Sequence, residues 1–282
     1  MPKVALVTDS TSYITPELVQ KYHITVLPQV LIWGEETFRD GIDIQPDEFY
    51  QRLEKASVMP STSQVSPADV QKVFQDLLDQ DYHVLAVLVS SKLSGTISSA
   101  HQAFIEMPGT PIEIVDSESV AMAMGFQVLA AAKAAEQGAT LAECKELAEK
   151  SRQYTGLFVT VNTLEFLHRG GRIGGGARFL GTALNLKPIL EVKNGRLEAV
   201  ERVRTRGKAL NRVVELVEQQ VNGRRPLHLA SLHANSPVDA QYMLDQLKER
   251  LEVDEEVISI VSPVVGTHAG PGTVGIAFLA GM

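Results

Sequence analysis

The sequence predicts an α/β protein of two domains: an N-terminal parallel-sheet α/β/α domain, Rossmann-like, over residues 1–153, and a C-terminal mixed-sheet α/β domain over residues 154–282. Three observations carry this. The chain has 282 residues, 44% of them apolar, which at roughly 150 residues per domain is the length of two with a core in each. Short continuous apolar runs alternate with amphipathic stretches in the N-terminal half, the pattern of strands buried on both faces and covered by helices. From about Gly156 the rhythm changes, with several strand candidates and only two long helical stretches among them.

In order along the chain, Val4 to Val7 reads as a buried strand and Thr8 to Ser12 as the polar loop at its C-terminal end. Pro16 opens a short helix, where its missing N–H costs little, and Ile24 to Leu27 and Val30 to Trp33 follow as strands. Pro46 to Lys55 and Pro67 to Leu78 read as helices, His83 to Val89 as a second buried strand, Ser94 to Phe104 as a helix and Ile112 to Val115 as a third strand. The alanine-rich stretch from Val120 to Ala135 is a buried helix, and Leu141 to Arg152 closes the first domain. In the second, strands are expected at Leu157 to Val161, Pro188 to Lys193, Leu197 to Val203, Leu227 to Leu232, Val257 to Val261 and Val274 to Leu279. Asn194-Gly195 supplies a type I′ hairpin turn, and helices near Lys208 to Gln220 and Pro237 to Leu251 cover one face.

Composition excludes several classes of function. Lysine and arginine number 26 against 34 acidic residues, a formal charge of −8, whereas a nucleic-acid binder needs a concentrated positive footprint; no nucleic acid is expected as a partner. The single cysteine, Cys144, permits neither an intrachain disulfide nor a paired-thiolate metal site, so a cytoplasmic address is expected. The first apolar run, Val4 to Val7, falls short of a secretory h-region of about 7 residues or more. The longest apolar stretch, Val120 to Ala132, is broken by Gln127 and is well under the roughly 20 residues a membrane span requires.

Four polar, glycine-bearing segments sit where strands are expected to end: Pro60 to Gln64, Ser90 to Thr96, His168 to Gly176 and Gly266 to Gly272. Ligands of open α/β sheets gather beyond the C-terminal strand ends, and hydroxyls at helix N-termini serve as caps or as donors to an anion. Taken singly, Ser94 is equally a helix cap, Thr62 one loop hydroxyl among several, and the glycines turn-formers. Gly270 to Gly275 matches G-x-G-x-x-G but leaves only seven residues after it, with no room for the helix and acid of a dinucleotide fingerprint. There is no Walker A motif, since Gly207-Lys208 is followed by Ala209, no G-x-S-x-G elbow, and no histidine pair at metal-ligand helix spacing. No cofactor and no metal are expected.

Together, in this order and at these separations, the motifs resemble those of the DegV family of fatty-acid-binding proteins across essentially the whole chain. They are Thr8 to Ser12, Thr62 to Gln64, Leu93 to Thr96, Arg169 to Ile173, Arg204 to Arg206 and His268 to Gly272. Two positions depart from the family pattern: Val65 stands where proline is common, and Lys92 where glycine is frequent.

The resemblance implies a non-enzymatic carrier that buries the tail of a long-chain fatty acid such as palmitate and holds its carboxylate where the loops of the two domains meet. By the same resemblance, Thr62 and Ser94 supply hydroxyls to the carboxylate with His268 nearby. Ser63, Gly95, Thr96 and Arg172 complete the ligand site, and Arg204 contributes to docking a separate fatty acid kinase that forms an acyl phosphate for phospholipid synthesis. Lys92 is expected to raise the potential beside the head group. Phe166, Phe179, Leu180 and Ile189, around the glycine-rich segment, are tunnel candidates or plain core. Two alternatives remain at this level: an acyl-ester hydrolase with Ser94 as nucleophile and His268 as base, and a regulatory or interaction protein without a ligand.

Overall fold

A computed structural model describes residues 3–179 and 186–282. Its thirteen strands are β1 (Val4–Asp9), β2 (Thr25–Leu27), β3 (Val30–Trp33), β4 (Glu36–Arg39), β5 (Ser61–Ser63), β6 (His83–Leu88), β7 (Ile112–Asp116), β8 (Thr155–Thr160), β9 (Lys187–Lys193), β10 (Arg196–Val203), β11 (Leu227–His233), β12 (Glu255–Ile260) and β13 (Val274–Ala280). The helices are α1 (Pro16–Lys21), α2 (Pro46–Glu54), α3 (Pro67–Leu78), α4 (Thr96–Ile105), α5 (Ala121–Glu136), α6 (Leu141–Ser151), α7 (Glu165–Arg169), α8 (Arg206–Val221), α9 (Pro237–Lys248) and α10 (Pro263–Ala269).

The N-terminal half carries a four-stranded parallel sheet, β2-β1-β6-β7. Strand β1 is buried along its whole length, and β6 is buried from Val84 onward, which is why both read as unbroken apolar runs rather than alternating ones. The C-terminal half carries a six-stranded mixed sheet, β10-β9-β8-β13-β11-β12, antiparallel except where β11 meets β12. The β9–β10 hairpin turns at Asn194 (φ 50°) and Gly195 (φ 80°), the two positive angles a type I′ turn demands.

Helix α5 touches β1 and β6 of the first sheet and β8 and β13 of the second. Sandwiched between two sheets, it buries side chains all round, and its sequence is accordingly apolar without a polar face. Elsewhere local chemistry sets helix starts. Ser66 accepts from the Asp69 N–H ahead of Pro67, and Thr140 and Glu143 form a reciprocal capping box on α6, each satisfying N–H groups the first turn leaves free.

The structure adds three features that the sequence reading lacks. A third sheet, β4-β3-β5, recruits Ser61 to Ser63, read above as a polar loop, by pairing Thr62 with Leu31. The segment containing His168 begins within a short helix, α7, and His268 sits on another, α10, rather than in a glycine loop. Helix α4 starts at Thr96 with Gly95 as its N-cap, so Ser94 lies one residue outside it. Among the described residues, no helix is long and apolar enough to cross a membrane.

Candidate functional site

An inner cavity, partly open to solvent, lies between the two sheets. Most of its wall is aliphatic. Strand β8 contributes Leu157, Val159 and, just past its end, Val161; the hairpin adds Val192 and Leu197; β11 adds Leu232; Val261 comes from the segment between β12 and α10, and Val264 and Val265 from α10 itself. Leu157, Val159 and Val161 share one face because strand side chains alternate.

Polar groups also line it: Gln29, Thr62, Ser63, Gln64, Ser94, Arg172 and His268, together with Thr11, Tyr13 and Thr273. Thr62 Oγ1 lies 2.7 Å from His268 Nε2, joining residues 206 apart in the chain. Burial, and secondarily the Arg172 guanidinium, depress the His268 pKa to about 4, so the ring is neutral at physiological pH. Its Nδ1 is buried without a partner. The tautomer protonated at Nε2 leaves no buried N–H unpaired; His268 then donates to Thr62, and the Thr62 hydroxyl proton is free to face the cavity. Gly170 makes room for this ring: a Cβ there would stand 2.0 Å from Nδ1.

Ser94 Oγ lies 2.9 Å from Thr96 Oγ1 and accepts from the Thr96 backbone N–H at 3.3 Å. Arg172 is tied to the backbone on both sides of the site, donating from Nε to the Leu93 carbonyl at 2.9 Å and from Nη1 to the Gly170 carbonyl at 2.7 Å. A second cleft shares Thr62, Arg172 and His268 with the inner cavity and is otherwise lined by residues including Met59, Ser61, Phe166, Arg169 and Thr267. These three side chains thus belong both to the apolar cavity and to a second, more polar cleft that also holds Arg169.

Not every residue singled out in the sequence reaches the cavity. Thr96 is fully buried one layer back, bonded to Gln29 and Ser94, and Gly95 is covered by the Gln64 side chain, whose Cδ would lie 2.9 Å from a Cβ. Ser63 lines the cavity, its hydroxyl donating weakly to the Gln64 carbonyl at 3.4 Å. Lys92 does not join the Thr62, Ser94 and His268 group: its Nζ donates to the Asn194 carbonyl at 2.7 Å, so it fastens the hairpin tip to the N-terminal half instead. Ser90 adds a bond from Oγ to the Gly195 carbonyl at 2.7 Å. Arg204 is exposed just beyond β10.

Of the tunnel candidates, Ile189 is fully buried on the opposite face of β9 from Val192, against α8. Phe166 lines the outer cleft. The Phe179 ring lies under the Arg178 and Arg202 guanidinium groups, 5.2 and 4.8 Å from its centroid, and Leu180 falls outside the described residues. Gln29, absent from the sequence reading, is a buried amide in the lining; a lone glutamine between two short strands carries no signal that separates it from a surface residue.

For a Ser94 hydrolase the imidazole is poorly placed. His268 Nε2 is engaged by Thr62, and its Nδ1 has no carboxylate to orient it, whereas a triad needs both contacts.

Comparison with known proteins gives one consistent result. The chain matches the family model described as "Uncharacterised protein, DegV family" over residues 3–281. It is 33% identical over 277 residues to the protein DegV of Bacillus subtilis, covering 98% of each chain. Among solved structures, it superposes on a fatty-acid-binding DegV family protein from Thermus thermophilus with a TM-score of 0.93 at 35% identity, covering 99% of both chains. It also superposes on the fatty-acid-binding DegV of B. subtilis with a TM-score of 0.88 at 31% identity, covering 99% of this chain and 100% of that one. With the fold, the interior cavity and the full-length sequence match in agreement, the chain belongs to the DegV family.

Proposed function

We propose that this protein is a non-enzymatic carrier of a long-chain fatty acid, with the acyl chain in the aliphatic cavity and the carboxylate at the Thr62, Ser94 and His268 cluster. The observation that carries this is the joining of two environments in one cavity, a mainly aliphatic wall that also holds the bonded Thr62–His268 pair and the Ser94 hydroxyl. The energetics agree. A palmitate-length tail buried at about 0.8 kcal/mol per methylene contributes about 11 kcal/mol before ordering costs. A carboxylate withdrawn from water costs several kcal/mol unless it finds donors, and Thr62 and Ser94 are placed to supply two. The nearby Arg172 adds positive potential while both its bonded nitrogens are committed to backbone carbonyls, so the carboxylate oxygens are not locked in a bidentate clamp.

The outer cleft supports the finer reading, presentation of the carboxylate to a separate fatty acid kinase that forms the acyl phosphate used in phospholipid synthesis. The finer reading draws on Arg169 and Arg172, which line the second cleft beside the cluster, and on Arg204, which is exposed to contribute to docking of that kinase.

Native mass spectrometry of the purified protein, followed by lipid extraction, tests the carrier reading. A stoichiometric adduct of fatty-acid mass that is lost in Thr62→Ala/Ser94→Ala is expected. A bare polypeptide that takes up no added fatty acid overturns it. Addition of a fatty acid kinase and ATP to the loaded protein should yield acyl phosphate, and none should form with the double variant.

A further inference from the structure

Gln29, between β2 and β3, is 2% exposed. A buried primary amide carries two N–H donors and a carbonyl acceptor, each costly if left unpaired. Its Nε2 donates to Thr96 Oγ1 at 2.8 Å, while its Oε1 stands farther from the same oxygen, at 3.2 Å. The shorter contact orients Gln29 with the NH₂ group toward Thr96.

Direction then propagates. Thr96 Oγ1 receives a proton from Gln29 and must send its own onward; Ser94 Oγ at 2.9 Å is nearer than the Gln29 carbonyl oxygen at 3.2 Å. Ser94 Oγ also accepts from the Thr96 N–H. With two donors occupying its lone pairs, the role left to Ser94 is to donate, and the cavity is what it faces.

The geometry points to Gln29 as a positioning residue that, through Thr96, turns Ser94 into a dedicated donor, so that the cavity selects an ionised carboxylate over a neutral alcohol of the same chain length. This rests on the fatty-acid reading above. A carboxylate only accepts and is satisfied by such a site. An alcohol brings a proton of its own, which finds the Ser94 lone pairs filled and must turn to another acceptor in the lining, such as Thr62 Oγ1 or the Gln64 amide, so the alcohol is the poorer ligand of this site. The Gln29 backbone is pinned separately: its N–H donates to Ser10 Oγ at 3.1 Å, and its carbonyl accepts from the Asp40 N–H at 2.8 Å. Replacing the side chain therefore leaves the main chain held.

The test measures equilibrium binding of palmitate and of 1-hexadecanol to the wild type, Gln29→Leu, Thr96→Val and the double variant, with thermal unfolding alongside. Palmitate affinity should fall about ten- to a hundred-fold in each single variant, hexadecanol affinity should hold or rise, and the double variant should be no worse than either single one because both break the same relay. Thr96→Val, close to isosteric, carries the test alone if Gln29→Leu does not fold. Equal losses for both lipids, no loss for palmitate, or additive losses in the double variant overturn the inference while leaving the carrier reading intact. A wild type that binds neither lipid overturns the carrier reading, and this inference with it.

Discussion

Gly170→Ala is a selective probe of the head-group cluster because it displaces one ring without deleting a functional atom. Gly170 ends α7 at φ −76° and ψ −5°, a conformation alanine adopts freely, so no backbone strain enters. An added Cβ would stand 2.0 Å from His268 Nδ1, 2.9 Å from Cε1 and 3.2 Å from Cγ. Since non-bonded heavy atoms settle at about 3.5 Å or more, the imidazole must shift by roughly 1.5 Å; pressed from its Nδ1 flank it is driven against Thr62 on the Nε2 flank and must swing aside, so the 2.7 Å contact with Thr62 is lost. Thr62 then loses the donor that directs its hydroxyl at the ligand. The cost of one hydrogen bond to a charged group, about 1.5–3 kcal/mol, corresponds to palmitate binding weakened about ten- to a hundred-fold. Equilibrium binding measured beside thermal unfolding separates this from instability. In His268→Ala the ring is gone and the space is free, so adding Gly170→Ala should change little further. Wild-type affinity in Gly170→Ala, or an effect undiminished in the His268→Ala background, would refute the proposed role of the imidazole.

Three further outcomes are expected. His268, held near pKa 4 by burial and Arg172 against about 6.5 when unfolded, binds more protons in the unfolded chain between those values. Its contribution to stability is therefore complete above about pH 6.5 and declines by about 3 kcal/mol as the pH falls to about 4. Buried Asp9 and Asp40 have raised pKa values and act in the opposite sense, so the measurement is the difference in chemical stability between wild type and His268→Gln across that window. A difference that does not depend on pH contradicts the assignment, and NMR titration of the loaded protein should show the His268 midpoint displaced upward by the carboxylate. Gly195→Ala, at φ +80° with Ser90 Oγ 2.5 Å from the new Cβ, should lose about 2 kcal/mol. Gly34→Ala, at φ +65° with open space around it, should lose only the backbone share of about 1 kcal/mol; equal losses would show that the hairpin dock contributes nothing. Val159→Phe, which fills the cavity from β8, should shift the acyl preference toward shorter chains by about 0.8 kcal/mol per excluded methylene, read by competition across a chain-length series; an unchanged profile would mean that this wall is not the acyl wall.

Much of the architecture is legible in the sequence because it is encoded locally. The unbroken apolar runs at Val4 to Val7 and His83 to Val89 announce strands covered on both faces, Asn194-Gly195 announces its turn, and the alanine-rich stretch of α5 announces a helix with no solvent face. The polar segments holding Thr62, Ser94, Arg172 and His268 are likewise visible as motifs, although β5 is too short and too polar to show as a strand until β3 pairs with it. The Ser262-Pro263 pair that opens α10 is a helix-start signal that could have placed His268 on a helix.

What the sequence cannot carry is direction and enclosure. Ile189 and Val192 are three residues apart on one strand, yet one packs under α8 and the other lines the cavity, because strand parity is fixed only when the second sheet closes over the first. Gln29 acquires its partner from Thr96, 67 residues on, and His268 meets Thr62 across 206 residues. The chain by itself determined the longer strands and helices, since propensity and periodicity act over a few residues, but not the short elements β4, β5, α7 and α10, which tertiary contacts complete. Only the tertiary structure decided which side chains share a cavity and which hydroxyls are left to donate into it, since a cavity is the space between elements that the sequence places far apart.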